Sequence, residues 1–382
     1  MIAPGRIIGI LGGGQLGRMT AIAARSMGYG VHALDPDPAC PARGVADRVV
    51  TAPFDDELAA AWLAHGCDVV TLEIEKIALP ALHAAAARAP LRPGPAILEI
   101  VQDRGRQRAW LARHGLPQGP WALATHPSEL EAAAAAFGFD AYAKACFGGY
   151  DGRGQVRILG PDSAAAAFAL VGPAVVERAL PLEAELSVMV ARRPSGEVVV
   201  FPPALNHHED RILAWSAIPA PLPPAVLARA EEIGRTVAVA LALEGVLAIE
   251  LFLLANGDLL VNELAPRPHN SFHATERACV TSQFEQHVRA ICDLPLGSTA
   301  IREPTAIANL LGDLWSGGEP NFAAALAIPG VRLHLYGKAD ARPGRKMGHL
   351  SAVAATPAEA AERALYAAAL LSPARSSARD TS

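Results

Sequence analysis

Lys144-Ala-Cys-Phe-Gly148-Gly149-Tyr150-Asp151-Gly152-Arg153-Gly154-Gln155 decides how the rest of the chain is read. Four of the seven residues from 148 to 154 are glycine. Such a loop lets backbone N–H groups approach phosphate oxygens without interference from Cβ. Lysine is scarce, occurring only at 76, 144, 338 and 346 among 33 lysines and arginines together. Arginine serves at nearly every surface cation, so a retained lysine marks a place for a compact point charge where a planar fork does not fit. A strand lysine feeding a glycine loop points to a nucleoside triphosphate gripped by its phosphates. A glycine hairpin beside a surface lysine is the plainer alternative.

At 382 residues the chain exceeds one small core and is expected to divide into about two or three domains. Hydrophobic residues make up 51% and charged residues 19%, as in a folded globular protein. A net charge of −5 argues against a nucleic-acid partner. The cysteines at 40, 67, 146, 279 and 292 form no C-x-x-C pair, which fits reduced cytoplasmic thiols better than a disulfide frame or a zinc site. No apolar run is long enough to span a membrane. The N-terminal apolar stretch runs straight into a glycine turn and does not read as a signal peptide.

The first hundred residues read as doubly wound α/β. Arg6 to Leu11 is a buried strand, Gly12 to Gly14 a turn, Gln15 to Met27 a helix, and Val31 to Leu34 a second strand ending at Asp35. Gly12-x-Gly14-x-x-Gly17, with Asp35 placed 18 residues beyond Gly17, matches the dinucleotide fingerprint and makes a nicotinamide oxidoreductase a rival reading. The glycines themselves require only some phosphate at a helix N-terminus. Asp68 to Leu72 is a third strand. Glu73 lies at its C-terminal end, the end that faces the ligand crevice of an open parallel sheet; an ordinary acidic loop is the alternative.

Ala89-Pro-Leu-Arg-Pro-Gly-Pro95 reads as a linker closing a domain of residues 1–98. The Ala-rich stretches 81–89, 129–136 and 164–169 read as helix faces. Strands at 139–145, 155–159 and 174–179 make a small lobe of about 118–185, inside a central domain of 99–300. A small C-terminal domain covers 301–370, and 371–382 is an expected disordered tail.

Leu247 to Leu254 and Leu259 to Leu264 are apolar strands around Asn256-Gly257, a strong two-residue hairpin signal. If Ala255 pairs with Asp258, Glu250 falls opposite Glu263. Opposed carboxylates, with Cβ atoms ~4.5–5.5 Å apart, destabilise a sheet. A hard cation such as Mg²⁺ removes that repulsion; a shared proton or a slipped register are the alternatives. Strand parity sends Asn262 to the opposite face. Beyond the hairpin, Arg267, His269, Asn270 and Ser271 form a cluster suited to phosphate or carboxylate recognition. The histidine pair His207-His208 reads as a structural or substrate contact. Arg342-Pro-Gly-Arg345-Lys346-Met-Gly-His349 carries the last lysine in another glycine-interrupted basic loop.

Together the Lys144 loop, Glu250…Asn262-Glu263-Leu-Ala-Pro-Arg267, Arg342…His349 and the opening Gly-Gly-Gly-Gln15-Leu16-Gly17-Arg18-Met19 resemble the N5-carboxyaminoimidazole ribonucleotide synthases, ATP-grasp enzymes of purine biosynthesis. The resemblance runs from about residue 6 to about 350. It implies an ATP-grasp fold preceded by an α/β pre-ATP-grasp domain, with ATP and Mg²⁺ (Mn²⁺ as substitute) as cofactors, 5-aminoimidazole ribonucleotide and bicarbonate as substrates, and a homodimer. Arg104 and Lys144 would contact ATP phosphates beneath a lid of Gly149, Tyr150, Asp151, Gly152, Arg153, Gly154 and Gln155. Glu177, Arg178, Ala179 and Leu180 would line the adenine pocket, with Glu185 at the ribose and His208 and Asn262 completing it. Glu250 and Glu263 would bind the metal. The ribonucleotide would meet Gly14, Gln15 and Leu16. Asp35, Glu73, Arg267, His269, Asn270, Ser271, Lys338, Arg345 and Lys346 would join Tyr150, Asp151 and Arg153 around the second substrate and bicarbonate.

The sequence departs from the family pattern at Ile74, Lys76, Cys146, Phe147, Arg211, Phe272 and Ala274. These cluster in sequence around the motifs assigned to the imidazole ribonucleotide. They leave a related carboxylate–amine ligase with another substrate as the strongest competitor, ahead of a nicotinamide oxidoreductase and a non-catalytic nucleotide sensor.

Overall fold

The structure, a computed structural model, describes residues 1–148 and 154–372. Gly149 to Arg153 of the glycine loop and the tail from 373 lie outside the described residues.

The N-terminal unit comprises β1 (Ile7–Leu11), α1 (Gln15–Ser26), β2 (Gly30–Asp35), β3 (Arg48–Thr51), α2 (Glu57–His65), β4 (Val69–Leu72), α3 (Leu79–Ala86), α4 (Pro95–Val101) and α5 (Arg104–Arg113). Its four strands are parallel in the order β3-β2-β1-β4. Alternate residues of β1 face opposite layers: Ile8 and Ile10 pack on Ala21 and Ala24 of α1, while Leu11 joins the core of α2 and α3. Helices cover both faces, which is why β1 and β4 read as unbroken apolar runs. Asp56 and Asp103 cap α2 and α5 by accepting from the N–H groups of Ala59 and Arg106. The stretch read as a linker is tied down. Val70 exchanges backbone hydrogen bonds with Pro90 and Arg92, and the Arg92 guanidinium donates to Glu244 at 2.8 Å and to the Ile291 carbonyl at 2.6 Å.

A small lobe follows: β5 (Trp121–Ala124), α6 (Pro127–Ala136), β6 (Ala141–Ala145), β7 (Gln155–Ile158), α7 (Pro161–Val171) and β8 (Ala174–Arg178). Its antiparallel sheet has the order β5-β8-β6-β7. The pairings Lys144↔Gln155, Lys144↔Val175 and Tyr142↔Glu177 put Lys144, Gln155 and Glu177 on one face. The alternate residues Ala141, Ala143 and Val176 pack on the Ala-rich helices.

The remaining elements are β9 (Leu182–Arg192), β10 (Val198–Val200), β11 (Ala204–Glu209), β12 (Ile212–Ile218), α8 (Pro224–Ala240), β13 (Gly245–Leu254), β14 (Leu259–Ala265), α9 (Thr275–Ala278), α10 (Gln283–Ile291), β15 (Thr305–Leu311), α11 (Phe322–Leu326), β16 (Val331–Leu335), β17 (Lys346–Val353) and α12 (Pro357–Ala369). One sheet of nine strands holds all of these strands, in the order β14-β13-β9-β11-β12-β15-β17-β16 with β10 beside β9. The C-terminal strands therefore extend the central sheet through β12–β15 pairing. Glu185, placed at the edge of the small lobe by sequence, belongs to β9 of this large sheet.

Candidate active site

The opposed glutamates come together through a turn and a bulge that differ from the expected hairpin. Leu254, not Ala255, pairs with Asp258, and Gly257 (φ +86) closes a three-residue loop. From the turn the register runs Leu253↔Leu259 to Leu251↔Val261, then shifts so that Glu250 faces Glu263 and Asn262 has no partner. Asn262 is thus the extra residue of a β-bulge, which re-aims its side chain. Its Nδ2 donates to Glu250 Oε2 at 3.2 Å and its Oδ1 accepts from Lys144 Nζ at 3.4 Å. The parity that sent Asn262 away from Glu250 fails here because the strand carries one residue more than its partner.

Charges are dense around this hairpin. Glu177 Oε2 lies 2.6 Å from Lys144 Nζ, and its Oε1 accepts from Arg108 Nε at 2.9 Å and Nη2 at 2.7 Å. Burial alone would raise the Glu177 carboxyl, but Lys144, Arg108 and Arg104 overcome it and hold it at about 2. Burial lowers Lys144, with Glu177 opposing and Arg104 reinforcing. Glu250 is pushed up to about 7, first by burial and then by Glu263. The two opposed carboxylates of Glu250 and Glu263 are an all-oxygen donor pair, which fits Mg²⁺ or Mn²⁺. Arg104 donates to Glu263 at 3.3 Å, while its buried Nη1 has no hydrogen-bond partner among the described residues. A cavity of about 40 Å³ lined by Gln102, Arg104, Cys146, Gly148 and Glu263 opens there. That unmet donor is suited to an anionic oxygen.

His208 Nδ1 lies 2.9 Å from Glu185 Oε2, on a second bulged strand pair whose register shifts between His207 and His208. Burial would lower His208, but the Glu185 carboxylate outweighs it and raises it. Arg178, Ala179 and Leu180 line a separate cavity of about 450 Å³ with Phe137, Asp140, Arg157 and Pro181. Both oxygens of the Glu177 carboxylate serve Lys144 and Arg108. Arg108 was missed in the sequence. Its spacing of four from Arg104 on a capped helix was the available signal.

The glycine fingerprint holds carboxylates. Gly14 N–H donates to Glu73 Oε1 at 2.6 Å, Gly17 N–H to Glu73 Oε2 at 2.8 Å, and Gly13 N–H to Asp35 Oδ2 at 2.7 Å. A Cβ on Gly14 would sit 2.4 Å from Glu73 Oε1. The N–H groups of Gly13, Gly14 and Gly17 are therefore engaged by the protein's own carboxylates, and the Leu16 side chain is buried in the core. Glu73 and Asp35 are 8% exposed, and burial raises both carboxyls. They shape the loop by accepting from its N–H groups.

Gln15 does reach the crevice. Its Nε2 donates to Asn270 Oδ1 at 2.6 Å and its Oε1 accepts from Lys338 Nζ at 2.7 Å. Lys338 also donates to the Lys346 carbonyl at 2.5 Å. The Lys346 charge is felt at Glu250, His208 and His269, so it lies near the carboxylate hairpin. Arg345 stands beside it, donating to the Asp340 carbonyl at 3.0 Å. Arg267 Nε lies 2.8 Å from Glu75 Oε1, and His269 Nε2 lies 3.6 Å from Glu250 Oε1. Ser271 is fully buried; its Oγ meets His269 Nδ1 at 2.7 Å, so it supports His269 from behind.

Of the departures from the family pattern, Cys146 lines the cavity beside Arg104 and Glu263, whereas Phe272, Ala274 and Arg211 have structural surroundings. Phe272 and Ala274 are fully buried in one core cluster, with Phe272 packed edge-on against Phe201. Arg211 (φ +69) and Asp210 (φ +48) form the two-residue turn between Glu209 and Ile212. Both central positions there need the left-handed region, which explains a glycine preference with no ligand. Cys146 is buried, and Phe147 is exposed at 64%.

A lysine and arginines beside an all-oxygen carboxylate hairpin, roofed by a small antiparallel lobe, define an ATP-grasp ligase. The model of the ATP-grasp domain matches residues 109–284, that of the ribonucleotide synthetase preATP-grasp domain residues 6–102, and that of the phosphoribosylaminoimidazole carboxylase C-terminal domain residues 305–363. The chain belongs to the N5-carboxyaminoimidazole ribonucleotide synthase family. It is 44% identical over 360 residues to the enzyme of that name from Brucella melitensis, covering 92% of this chain and 97% of the relative. An ADP complex of such a synthetase superposes with a TM-score of 0.91 at 40% identity, over 96% of this chain and 97% of that one. The Aspergillus clavatus synthase in complex with ADP and 5-aminoimidazole ribonucleotide matches with a TM-score of 0.88 at 33% identity, over 96% and 98%. Among the described residues no helix is long and apolar enough to cross a membrane.

Proposed function

We propose that this chain uses ATP and bicarbonate to carboxylate the amine of 5-aminoimidazole ribonucleotide, giving N5-carboxyaminoimidazole ribonucleotide, ADP and phosphate. A bicarbonate oxygen attacks the γ-phosphorus, ADP leaves, and carboxyphosphate forms. The amine then adds to the carboxyphosphate carbon, phosphate leaves, and the amine loses a proton. Phosphoryl transfer of this kind needs charge neutralisation and alignment more than a covalent residue.

One observation supports the reading most: Lys338, in the loop before β17, donates to Gln15 of the first unit and to the Lys346 carbonyl, and Gln15 in turn donates to Asn270, a few residues beyond the Glu250/Glu263 hairpin. Three segments far apart in sequence so converge on one crevice. Arg104 and Lys144 receive the ATP phosphates, with Arg104 Nη1 gaining its missing acceptor. Held by Glu250 and Glu263, Mg²⁺ would screen the phosphate charge. The ribonucleotide phosphate would meet Lys338, Arg345 and Lys346 beside the Gln15–Leu16 end of α1, and its ring Gln15 and Asn270. Tyr150, Asp151 and Arg153 keep the roles the family resemblance gives them, in a lid that excludes water from an easily hydrolysed acyl phosphate. A cytoplasmic homodimer accompanies the reading.

The test is ADP release from Mg·ATP and bicarbonate, with and without 5-aminoimidazole ribonucleotide. Strong stimulation by the ribonucleotide, abolished by Glu263→Ala, is expected. ATP hydrolysis indifferent to the ribonucleotide would keep the fold and sink the substrate.

A further inference from the structure

Behind the crevice, a set of donors remains that the reaction does not use. His334 of β16 and His349 of β17 are direct cross-strand partners, and their rings stack with centroids 5.1 Å apart. Glu276 of α9 reaches the same spot from the ATP-grasp side, its Oε2 at 3.9 Å from His334 Nδ1. One ligand atom from each of the three lies within 4.8 Å of the other two.

We propose that Glu276, His334 and His349 form a second metal site, for a transition-metal ion of the Zn²⁺ class, that fastens α9 to the C-terminal strands. The donor chemistry separates it from the hairpin site. Two imidazole nitrogens and one carboxylate suit borderline metals, and three protein ligands leave a fourth position for water. The all-oxygen pair of Glu250 and Glu263 suits Mg²⁺. Zn–N bonds of ~2.0–2.1 Å place tetrahedral ligand atoms ~3.4 Å apart, so closure needs movements of about an ångström. Glu276 and His334 are 37% and 27% exposed in their side chains and have room to rotate.

His349 is the fixed ligand. It is 2% exposed, and its Nδ1 meets the Tyr336 hydroxyl at 2.9 Å, which leaves Nε2 for the metal. A hydrogen bond on the far ring nitrogen is the usual outer partner of a ligating histidine. Two cations oppose the ion: the charge of Arg332 is felt at Glu276 and that of Arg18 at His334. The site is not isolated from the crevice. His349 stacks on His273 at 4.8 Å between centroids, and His273 Nε2 meets Asn270 Oδ1 at 3.0 Å.

The experiment uses the full chain in excess Mg²⁺ and titrates Co²⁺, read by visible d–d absorption, and Zn²⁺, read by equilibrium dialysis. One equivalent of either ion is expected in the wild type and in Glu250→Gln. Stoichiometric binding should be lost in His334→Ala and in the milder Glu276→Gln. Tyr336→Phe should weaken binding about tenfold, and Arg332→Gln should tighten it. Equal binding by wild type and by both ligand variants would overturn the proposal. So would binding that disappears in Glu250→Gln, or in Cys67→Ser, which removes the separate Cys67–His32 pair at 3.8 Å.

Discussion

Replacing Glu177 by glutamine removes one charge from the centre of the cation cluster and changes almost nothing in shape. The wild-type carboxylate is 10% exposed and bridges Lys144 and Arg108 at 2.6 Å and 2.7 Å. Its pKa falls from 4.5 to about 2 on folding. At ~1.36 kcal/mol per pH unit, that gap corresponds to about 3 kcal/mol of stability. Breaking a buried pair from one side costs a similar ~3–5 kcal/mol. Because the pKa is depressed, the contribution is fully present above pH 4.5 and fades as pH falls through about 2. Urea unfolding of wild type and Glu177→Gln should therefore differ by about 3 kcal/mol at pH 7 and roughly 2 kcal/mol at pH 3.5. Adding Lys144→Met to Glu177→Gln should recover part of the loss, since an unpaired buried ammonium is then gone. A difference below about 1 kcal/mol at pH 7, or one that ignores pH, would refute the view that Glu177 is the counter-ion of this cluster.

Glu250 gives the opposite sign. Its carboxyl sits at about 7, raised by burial and by Glu263, so its contribution is present at acid pH and lost as pH rises through about 7 in metal-free protein. Mg²⁺ binding should then release a proton at pH 6 and none at pH 8.5; calorimetry in two buffers of different ionisation heat measures this, and equal release at both would contradict the assignment. Deleting Asn262 removes the bulge and leaves Glu263 opposite Glu250 in an unbroken register, so Mg²⁺-dependent ATP binding should weaken only by the loss of the Asn262 amide, while the fold survives by circular dichroism. Gly14→Ala drives a Cβ to 2.4 Å from Glu73 Oε1. It should cost about 1–3 kcal/mol of stability, and Glu73→Ala in the same chain should relieve part of that in a double-mutant cycle.

Much of the site was legible because its residue types are costly elsewhere. A lysine in an arginine-rich chain and two glutamates in apolar strands are not accidents of packing, and both led to the hairpin and its roof. The register argument reached the right pair by a wrong turn. Asn256-Gly257 suggested a two-residue loop, whereas a three-residue loop and the bulge at Asn262 offset one another. No periodicity rule sees two compensating irregularities. Asp210-Arg211, which lacks glycine, makes the two-residue turn, because the β11 and β12 strands impose left-handed backbone that Asp tolerates and Arg accepts at some strain. The glycine fingerprint was read from spacing alone. Whether its amides face a phosphate or a carboxylate depends on Glu73, which lies 59 residues from Gly14. Arg108 was silent for a related reason, since its partner Glu177 is 69 residues away.

The continuous large sheet has a consequence for biosynthesis. While the nascent chain emerges from the ribosome, β12 (Ile212–Ile218) has β11 on one side and nothing on the other until Thr305–Leu311 follows. In that interval it is an open edge, a template for pairing with another chain. Synthesis at ~5–20 residues per second stretches the interval to several seconds. A chain truncated before β15 would keep that edge for good, so aggregation is the expected fate of such a fragment even though every residue of the carboxylate hairpin is in it.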